Sequence, residues 1–513
     1  MEKKLPERKG DTMRKIILLL SFIFLGYGCM VGPNYQRPQV DTPQTWRFED
    51  REAKDMANTA WWEQFKDPVL NELIQVSLQE NKDIKIAAAR VEQFIGQYDA
   101  TRAALFPQIN AGAGYGRQRL SELTGPSPIE NTPGTNSTFN SSQLFVSASW
   151  EIDLWGKLRR ATEAARANLL STEEARRTVI LTLVSSVANS YVNLRDLDKQ
   201  LEITKQAAKN YKEGYEIFKL RFQYGIVSEI EVSQAKSQYE QALANIPVFE
   251  KFIAQQENAL SVLIGRNPGP ILRGKTIDEL LLPAVPAGLP SDILVNRPDI
   301  RQAEQNLIAA NANIGVAKAL YYPTISLTGL FGFASNDLDD LFKGPAKTWS
   351  WAAPLAAPIF TGGAIAGQVK SAEAVQQQAL VTYQQAIQTA FREVDDSLID
   401  QKRTREQLDA LAQQVGSLRQ YANLAWVRYE NGYTSYLEVL DAQTRLYNAE
   451  LVHTNAQGNL FQALVNLYKA MGGGWVTEAD RMTMVPVDSK SPEKDPSPKQ
   501  ESMSSKAVAE KAE

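Results

Sequence analysis

The chain has 513 residues, a net charge of −4, one cysteine and one histidine. A single thiol excludes an internal disulfide and a cysteine-based metal site, and a single imidazole excludes a histidine cluster. The charge shows no basic excess for nucleic acid. We therefore expect no metal, no cofactor and no nucleic-acid partner.

The predicted elements begin with an export signal at residues 1–28. A basic dipeptide precedes the apolar run 16–25, and small residues follow it, which is typical of a cleaved signal. Met13 is an alternative start, because a signal that begins there is more compact. Cleavage after residue 28 would leave Cys29 at the new N-terminus, where a bacterial lipoprotein carries its lipid anchor. The alternative is a buried cysteine without a special role.

The rest of the sequence repeats one pattern. The stretch NKDIKIAAARV from Asn81 matches NRPDIRQAEQNL from Asn296, and RFQYGIVSEIEV from Arg221 matches RYENGYTSYLEV from Arg428. The period is far longer than a solenoid unit, so it indicates a duplicated domain.

This repeat predicts six segments. They are the signal peptide 1–28, a lipid-anchored segment 29–60, a first repeat 61–265, a linker 266–290, a second repeat 291–472, and a C-terminal segment 473–513 that ends in a disordered tail. Each repeat is predicted to hold a helix (67–105 and 291–321), two strands and a long helical hairpin.

The strand-like segments alternate between apolar and polar residues. They lie at 109–119, 144–153 and 325–333, and a fourth continues from Trp349 to Ile359. Their length and alternation favour transmembrane β-strands over the edge of a soluble β-sandwich. Four strands cannot close a barrel, and an open edge in lipid is unfavourable, so several chains must share one barrel. Three chains would give twelve strands, although the sequence alone does not fix that number.

Two very long helices follow the strands. The first is predicted from Lys157 to Phe222, about 100 Å at 1.5 Å per residue. Gly225 ends it and Ser228 can cap the returning helix, which Pro247 is expected to kink or break. Gly432 and Ser435 have the same places in the second copy.

Two motifs bear on possible binding or catalytic chemistry. GPILRGKT (269–276) matches the phosphate-loop pattern, but a helix precedes it and a proline lies inside it, so a linker is the favoured interpretation. His453 has no partner nucleophile in a known motif, which favours an ordinary surface or core histidine.

Acidic residues at the second hairpin turn are more informative. Glu438 and Asp441 are three residues apart and share a helix face, and Glu231 has the place of Glu438 in the first copy. One interpretation is solvated helix charge. The other is a ring of carboxylates in a symmetric assembly, which would select cations.

Several stretches together resemble the TolC superfamily of outer membrane factors, specifically its NodT-type lipoprotein branch. They are CMVGPNYQRP from Cys29, WWEQFKDPVLNELI from Trp61, EIDLWGKLRR from Glu151, AKALYYPTISL from Ala317, PIFTGG from Pro358 and the two hairpin turns. The resemblance implies a mixed α and transmembrane β fold. A trimeric twelve-stranded β-barrel, with four strands per chain, would continue into a long periplasmic α-helical coiled-coil barrel.

The resemblance also implies roles for residues at the helical tips. Glu438 and Asp441 fall on the acidic positions that restrict the periplasmic aperture. Tyr429 and Glu231 fall on a tyrosine–acid latch between hairpins. Thr434 stands where one well-known member has a basic gate residue, which is a departure from the family pattern.

The implied function is a passive exit duct in the outer membrane, not an enzyme. A homotrimer would contact outer-membrane lipid and carry drugs, solutes or metal ions delivered by an inner-membrane pump, of the resistance-nodulation-division type, through a periplasmic adaptor. Two alternatives remain open at this point: a duct for one-step protein secretion, and a periplasmic coiled-coil scaffold without a pore.

Overall fold

The computed structural model describes residues 30–40, 43, 45–48, 60–119, 138–285, 290–472 and 475–483. The predicted signal peptide, Cys29 and the C-terminal tail from residue 484 lie outside these ranges.

The chain folds into long helices and one antiparallel sheet. The elements of the first half are α1 (Pro68–Glu80), α2 (Lys82–Ala103), β1 (Gln108–Arg119), β2 (Thr138–Ile152), α3 (Lys157–Gln223) and α4 (Glu229–Leu263). Those of the second half are α5 (Ile293–Asn296), α6 (Pro298–Ala319), β3 (Thr324–Ser335), β4 (Lys347–Ala352), β5 (Leu355–Ala356), α7 (Ala364–Glu430), α8 (Tyr436–Met471) and α9 (Trp475–Thr483).

The order and lengths of the elements recur in the two halves. α2 and α6 have 22 residues each, α3 and α7 have 67 each, and α4 and α8 have 35 and 36. At 1.5 Å per residue, α3 and α7 are each about 100 Å long. We call α3 and α4 the first hairpin, and α7 and α8 the second hairpin.

The single helices predicted over 67–105 and 291–321 are wrong in one respect, because each is interrupted. Asn81 has extended backbone, and its side-chain oxygen accepts hydrogen bonds from the backbone N–H groups of Asp83 (2.8 Å) and Ile84 (3.2 Å), so it caps a new helix. Arg297 is extended because Pro298 follows it.

A break at Pro247 is also absent, since α4 runs through that residue. The proline removes one backbone hydrogen bond, and packing against α3 along the hairpin maintains the helix.

The sheet has the strand order β1–β2–β3–β4, and β5 pairs with the same strand as β4. The β2–β3 pairing, for example Ala148 opposite Gly329, joins the two halves of the chain. Leu144, Val146 and Trp150 are exposed on one face, as the alternation predicts. In the described part of the chain β1 and β4 form the edges of the sheet.

The helices form a single layer four helices wide. In the half of the layer next to the sheet, the helices lie side by side in the order α2, α3, α6, α7. In the half farther from the sheet, the order is α4, α3, α8, α7. The long helices α3 and α7 therefore span the whole layer. None of the described helices is both long and apolar enough to cross a lipid bilayer.

An aromatic core lies about halfway along the layer. It is formed by a belt, which we define as residues 60–80, 266–285 and 475–483, packed on α3 and α8. Trp61 and Trp475 are fully buried there, with ring centroids 6.0 Å apart, and Trp61 stacks on Tyr468 at 5.3 Å. This burial of large rings fixes the belt to the helices.

Candidate gating site at the hairpin tips

Both hairpins reverse direction through the same backbone motif. In the first turn Gly225 has φ of 69°, its N–H donates to the Phe222 carbonyl (2.9 Å), and the Ile226 N–H donates to the Arg221 carbonyl (2.9 Å). This pair of hydrogen bonds defines a Schellman motif. The motif requires a residue with left-handed backbone angles, which glycine adopts without a side-chain clash.

The second turn repeats that geometry. Gly432 has φ of 79°, its N–H donates to the Tyr429 carbonyl, and the Tyr433 N–H donates to the Arg428 carbonyl, both at 2.9 Å. The structure therefore places the two predicted turn glycines in equivalent roles.

An aromatic cluster joins the two hairpins next to these turns. Phe218 of α3 is fully buried against Tyr436 of α8, with ring centroids 3.9 Å apart, and against Tyr429 of α7 at 5.8 Å. Tyr429 and Tyr436 are 5.5 Å apart. We call these three residues the tip cluster. Burial raises the pKa of the Tyr436 phenol above its ordinary value.

Arg221 completes the contact between the hairpins. Its Nη1 donates to the Tyr429 hydroxyl at 3.4 Å, and its guanidinium carbon lies 5.9 Å from the centre of the tyrosine ring. Such a cation–π contact supplements the hydrogen bond. Sequence reasoning missed Phe218 and Arg221. The spacing of Tyr215, Phe218 and Phe222 along one helix face was the available signal.

Glu231 lies at the first tip but does not meet Tyr429 within one chain. Its carboxylate accepts hydrogen bonds from the Ser228 backbone N–H (2.8 Å) and from the Ser228 hydroxyl. This is the acidic half of a capping box at the start of α4. The hydroxyl lowers the pKa of the Glu231 carboxyl below its ordinary value. The latch between Tyr429 and Glu231 stays a prediction.

The two acidic residues of the second tip have local partners. Glu438 accepts a hydrogen bond from the Thr434 hydroxyl, and Arg428 Nη1 lies 3.9 Å from its second oxygen. Asp441 pairs with Nε of Arg445 at 2.8 Å, one helical turn away. Both carboxylates remain partly exposed to solvent. The structure thus places them together at one tip, and the ring they would form with other chains stays a prediction.

The segment that matches the phosphate loop serves the belt. The backbone N–H of Gly274 donates to the Tyr191 hydroxyl (3.0 Å), and that of Lys275 donates to the Asp67 carboxylate (3.0 Å). Tyr191 in turn donates to Asp67 at 2.7 Å. Amides that would hold a phosphate are therefore bound to the protein itself.

The start of the described chain is fixed at the junction of sheet and helices. Arg160, 2% exposed, donates to the carbonyls of Val31 and Gly32 (both 3.3 Å) and to Asn34 Oδ1 (2.7 Å). The Val31 N–H donates to the Trp155 carbonyl at 3.0 Å. The residues that follow Cys29 are thus held where β2 passes into α3.

A groove of about 830 Å³ runs over α8 between α3 and α7. Lys199 and Asp278 pair at 3.1 Å at one side, and Arg419 and Glu450 pair at 2.8 Å at the other. His453 lines this groove. In the ranges that the structure covers, no three His, Cys, Asp or Glu side chains are close enough to share a metal ion.

A small sheet whose two outer strands are unpaired in the described residues, continued by a layer of helices about 100 Å long that end in hairpin turns, is the architecture of a channel subunit. The comparisons with known proteins agree. The model of the outer membrane efflux protein family matches residues 73–266 and 289–473, and the chain belongs to that family.

Relatives and solved structures give the same result. The toluene efflux pump outer membrane protein TtgC of Pseudomonas putida is 36% identical over 471 residues, which cover 90% of this chain and 96% of the relative. The cation efflux system protein CusC of Escherichia coli is 36% identical over 456 residues, 87% of this chain and 96% of the relative. The crystal structure of the CmeC outer membrane channel of Campylobacter jejuni superposes with a TM-score of 0.82 at 28% identity, covering 89% of this chain and 98% of that one.

These findings confirm the predicted family, the combination of sheet and helical extension, and the function as an outer-membrane efflux channel. The matched family and its relatives are channels, not enzymes. The protein therefore acts in the outer membrane, with its helical extension in the periplasm.

Proposed function

We propose that three copies of this chain form one hollow duct, which serves as the exit of a three-part efflux pump. The edges of the sheet carry the proposal. The strands β1 and β4 are unpaired at their outer sides in the described residues, and an unpaired edge is costly in lipid. The short strands β4 and β5 pair with successive parts of β3 and together count as the fourth strand of the chain. Joining them to β1 of the next chain closes a barrel of twelve strands without an edge.

The helical layer supports the same closure. Its outer helices are α7 on one side and α2 and α4 on the other, so identical copies associate side by side. When one side of each copy binds the opposite side of the next copy, and the rotation between copies closes, the copies form a ring. A continuous lumen then leads from the tips to the barrel.

The duct supplies no energy of its own. An inner-membrane pump of the resistance-nodulation-division type delivers the cargo through a periplasmic adaptor that engages the hairpin tips. The adaptor binds the open tips more tightly than the closed ones, because a ligand shifts an equilibrium only by its difference in affinity. The names of the relatives, toluene and cation efflux proteins, favour small molecules or ions as cargo.

Lipid on Cys29 anchors each subunit beside the barrel. The hydrogen bonds from Arg160 to Val31 and Gly32 hold the residues that follow Cys29 at the junction of sheet and helices. An acyl chain on Cys29 reaches the inner leaflet from there. We expect Cys29→Ser to remove the lipid mass from the mature protein.

Glu438 and Asp441 form the acidic ring at the aperture. We expect Glu438→Ala with Asp441→Ala to reduce cation preference in planar-bilayer recordings, because rings of carboxylates attract cations. Asp409→Ala, which removes an exposed carboxylate of α7 away from the tips, is the matched control. Unchanged selectivity in the double variant would exclude the ring.

The duct itself is tested by mass and conductance. The protein purified in detergent should have three times the mass of one chain and should form conducting pores. A monomer without conductance would support the periplasmic scaffold instead.

Expression in a strain without its own duct separates the two cargo classes, since restored drug tolerance supports efflux and restored toxin export supports protein secretion.

A further inference from the structure

One buried carboxylate has no role in the duct described so far. Asp196 of α3 is 2% exposed and faces α8, where Gly458 allows the helices to approach closely. A Cβ at residue 458 would lie 3.2 Å from that of Asp196. The carboxylate is therefore enclosed in the contact between the first and second hairpins.

The hydrogen-bond partners of Asp196 are neutral amides. Gln200 Nε2 donates to Oδ1 at 2.9 Å, and Asn455 Nδ2 donates to Oδ2 at 3.4 Å. Asn459 donates in turn to the side-chain oxygen of Asn455 at 3.1 Å. Burial without a positive partner disfavours the ionised form and raises the pKa of Asp196.

The charged groups on the surrounding elements are paired with one another. Arg195 and Arg273 both bind Asp198, and Arg273 also binds Glu257 of α4. Lys199 of α3 pairs separately with Asp278 of the belt, and Glu202 joins this pair. On α8, His453 and Glu450 line the groove. Among the described residues none of these side chains bonds to Asp196, so no ion pair offsets its burial.

The other hydrogen bonds between α3 and α8 have a different character. They join amides, hydroxyls, phenols and a backbone carbonyl, in the pairs Asn189 with Asn466, Thr204 with Tyr447, and Tyr211 with the Gln443 carbonyl. An asparagine at position 196 would match this seam. The aspartate there introduces a group that changes charge with pH.

We propose that Asp196 is a proton-binding site between the hairpins, which ties their packing to the pH of the periplasm. When ionised, the carboxylate accepts the two amide N–H groups. A proton from water on either oxygen turns that oxygen into a donor, and the amide of Gln200 or Asn455 rotates to present its own oxygen. Closed packing favours the protonated form, whereas separation of the hairpins admits water and favours the ionised form.

The sign of the pH effect follows from this preference. Since the pKa of Asp196 is raised in the folded protein, the stabilisation is complete below the ordinary aspartate value and is lost as the pH rises through the raised value. Acid should therefore tighten the contact between the hairpins. If the duct opens by separating them, which rests on the proposed function, acid should also lower its open probability.

The first experiment measures thermal unfolding of the detergent-solubilised protein from about pH 4 to about pH 7. Asp196→Asn keeps the shape and removes the proton site, and Asp409→Asn, on an exposed position of α7, is the control for loss of one charge. The melting temperature of the wild type minus that of Asp196→Asn should fall by about one to three degrees as the pH rises across this range. If the melting temperatures of the wild type and of Asp196→Asn change in parallel with pH, the proposal is overturned.

Two further readouts do not depend on stability. The infrared band of protonated carboxyl groups should include a component that titrates in the wild type and is missing from Asp196→Asn. Asn455→Ala removes a donor to the ionised form and should move the titration to higher pH. A carboxyl band unaffected by Asp196→Asn would also overturn the site.

Conductance tests the link to gating separately. The wild-type open probability should rise with pH by up to tenfold per unit for one proton, and Asp196→Asn should be insensitive. A titrating Asp196 with pH-independent opening would disprove the coupling and keep the proton site. A protein that forms no pore in any variant would instead disprove the duct.

Discussion

The two hairpin tips have the same turn but different chemistry. Each turn is a Schellman motif with a left-handed glycine, Gly225 or Gly432, in open space. At the first tip the acidic residue Glu231 binds Ser228 of its own helix cap. At the second tip the matching Glu438 binds Thr434 and approaches Arg428, and Asp441 adds a second carboxylate.

The basic residues diverge in the same way. Arg221 reaches across to Tyr429 of the other hairpin, whereas the matching Arg428 stays within its own hairpin near Glu438. The first tip therefore uses its charges for capping and for holding the hairpins together. At the second tip Glu438 and Asp441 pair only with side chains of their own hairpin. Equal backbone geometry thus carries two different arrangements of charge.

The largest expected effect comes from the residue that joins the tips. Phe218→Ala should lower stability by about 3–5 kcal/mol, because it empties a fully buried site between Tyr429 and Tyr436. We expect a lower melting temperature together with a higher basal conductance. Phe222→Ala, at an exposed aromatic residue of the same helix, should change stability by less than about 0.5 kcal/mol. Similar losses in both variants would contradict the tip cluster.

The turn glycines should have equal effects. Gly225→Ala and Gly432→Ala should each cost roughly 1–2 kcal/mol, since alanine is strained in the left-handed region and no neighbouring atom lies within 4 Å of the added methyl group. Denaturant or thermal unfolding of the two single variants measures this. A much larger loss at one glycine would show that the tips differ in backbone as well as in side chains.

The helix caps should have unequal effects. Ser228→Ala removes the hydroxyl that binds Glu231 and should cost about 1 kcal/mol, whereas Ser435 makes no side-chain cap bond and Ser435→Ala should cost less. Because the pKa of Glu231 is lowered, this stabilisation is present above the ordinary glutamate value and is lost as the pH falls through the lowered one. Melting curves at neutral and acidic pH measure it, and equal, pH-independent losses would refute the assignment.

The smallest effect concerns the predicted latch. Tyr429→Phe removes the hydroxyl that accepts from Arg221 but keeps the ring, so it should cost less than about 1 kcal/mol and raise basal conductance slightly. If Glu231 also holds the tips closed in the assembled duct, Glu231→Gln should raise conductance as well. A rise with Tyr429→Phe alone would assign the contact to Arg221, and no rise in either variant would dismiss the latch.

The sequence predicted much of the architecture because its signals are local. The period of two in residues 144–153 and 325–333 marked the strands, and the runs of helix-forming residues that end at Gly225 and Gly432 marked the long hairpins. It did not predict the interruption at Asn81 or the continuity through Pro247. Capping by Asn81 and packing along α3 decide these points, and neither is visible as periodicity.

The candidate site divides in the same way. Glycine at the turns and acidic residues on one face of α8 follow from position in the sequence alone. Phe218 between Tyr429 and Tyr436, Arg221 on Tyr429, and Asp196 against Asn455 join residues more than two hundred positions apart.

By itself, the sequence determined the kinds of element, their order and the glycines that reverse the chain, because these depend on neighbouring residues. The tertiary structure alone decided which helices became neighbours, which charges were paired and which carboxylate was enclosed. Those outcomes depend on burial and on donors from distant segments, and the energy of a charge depends on what surrounds it after folding.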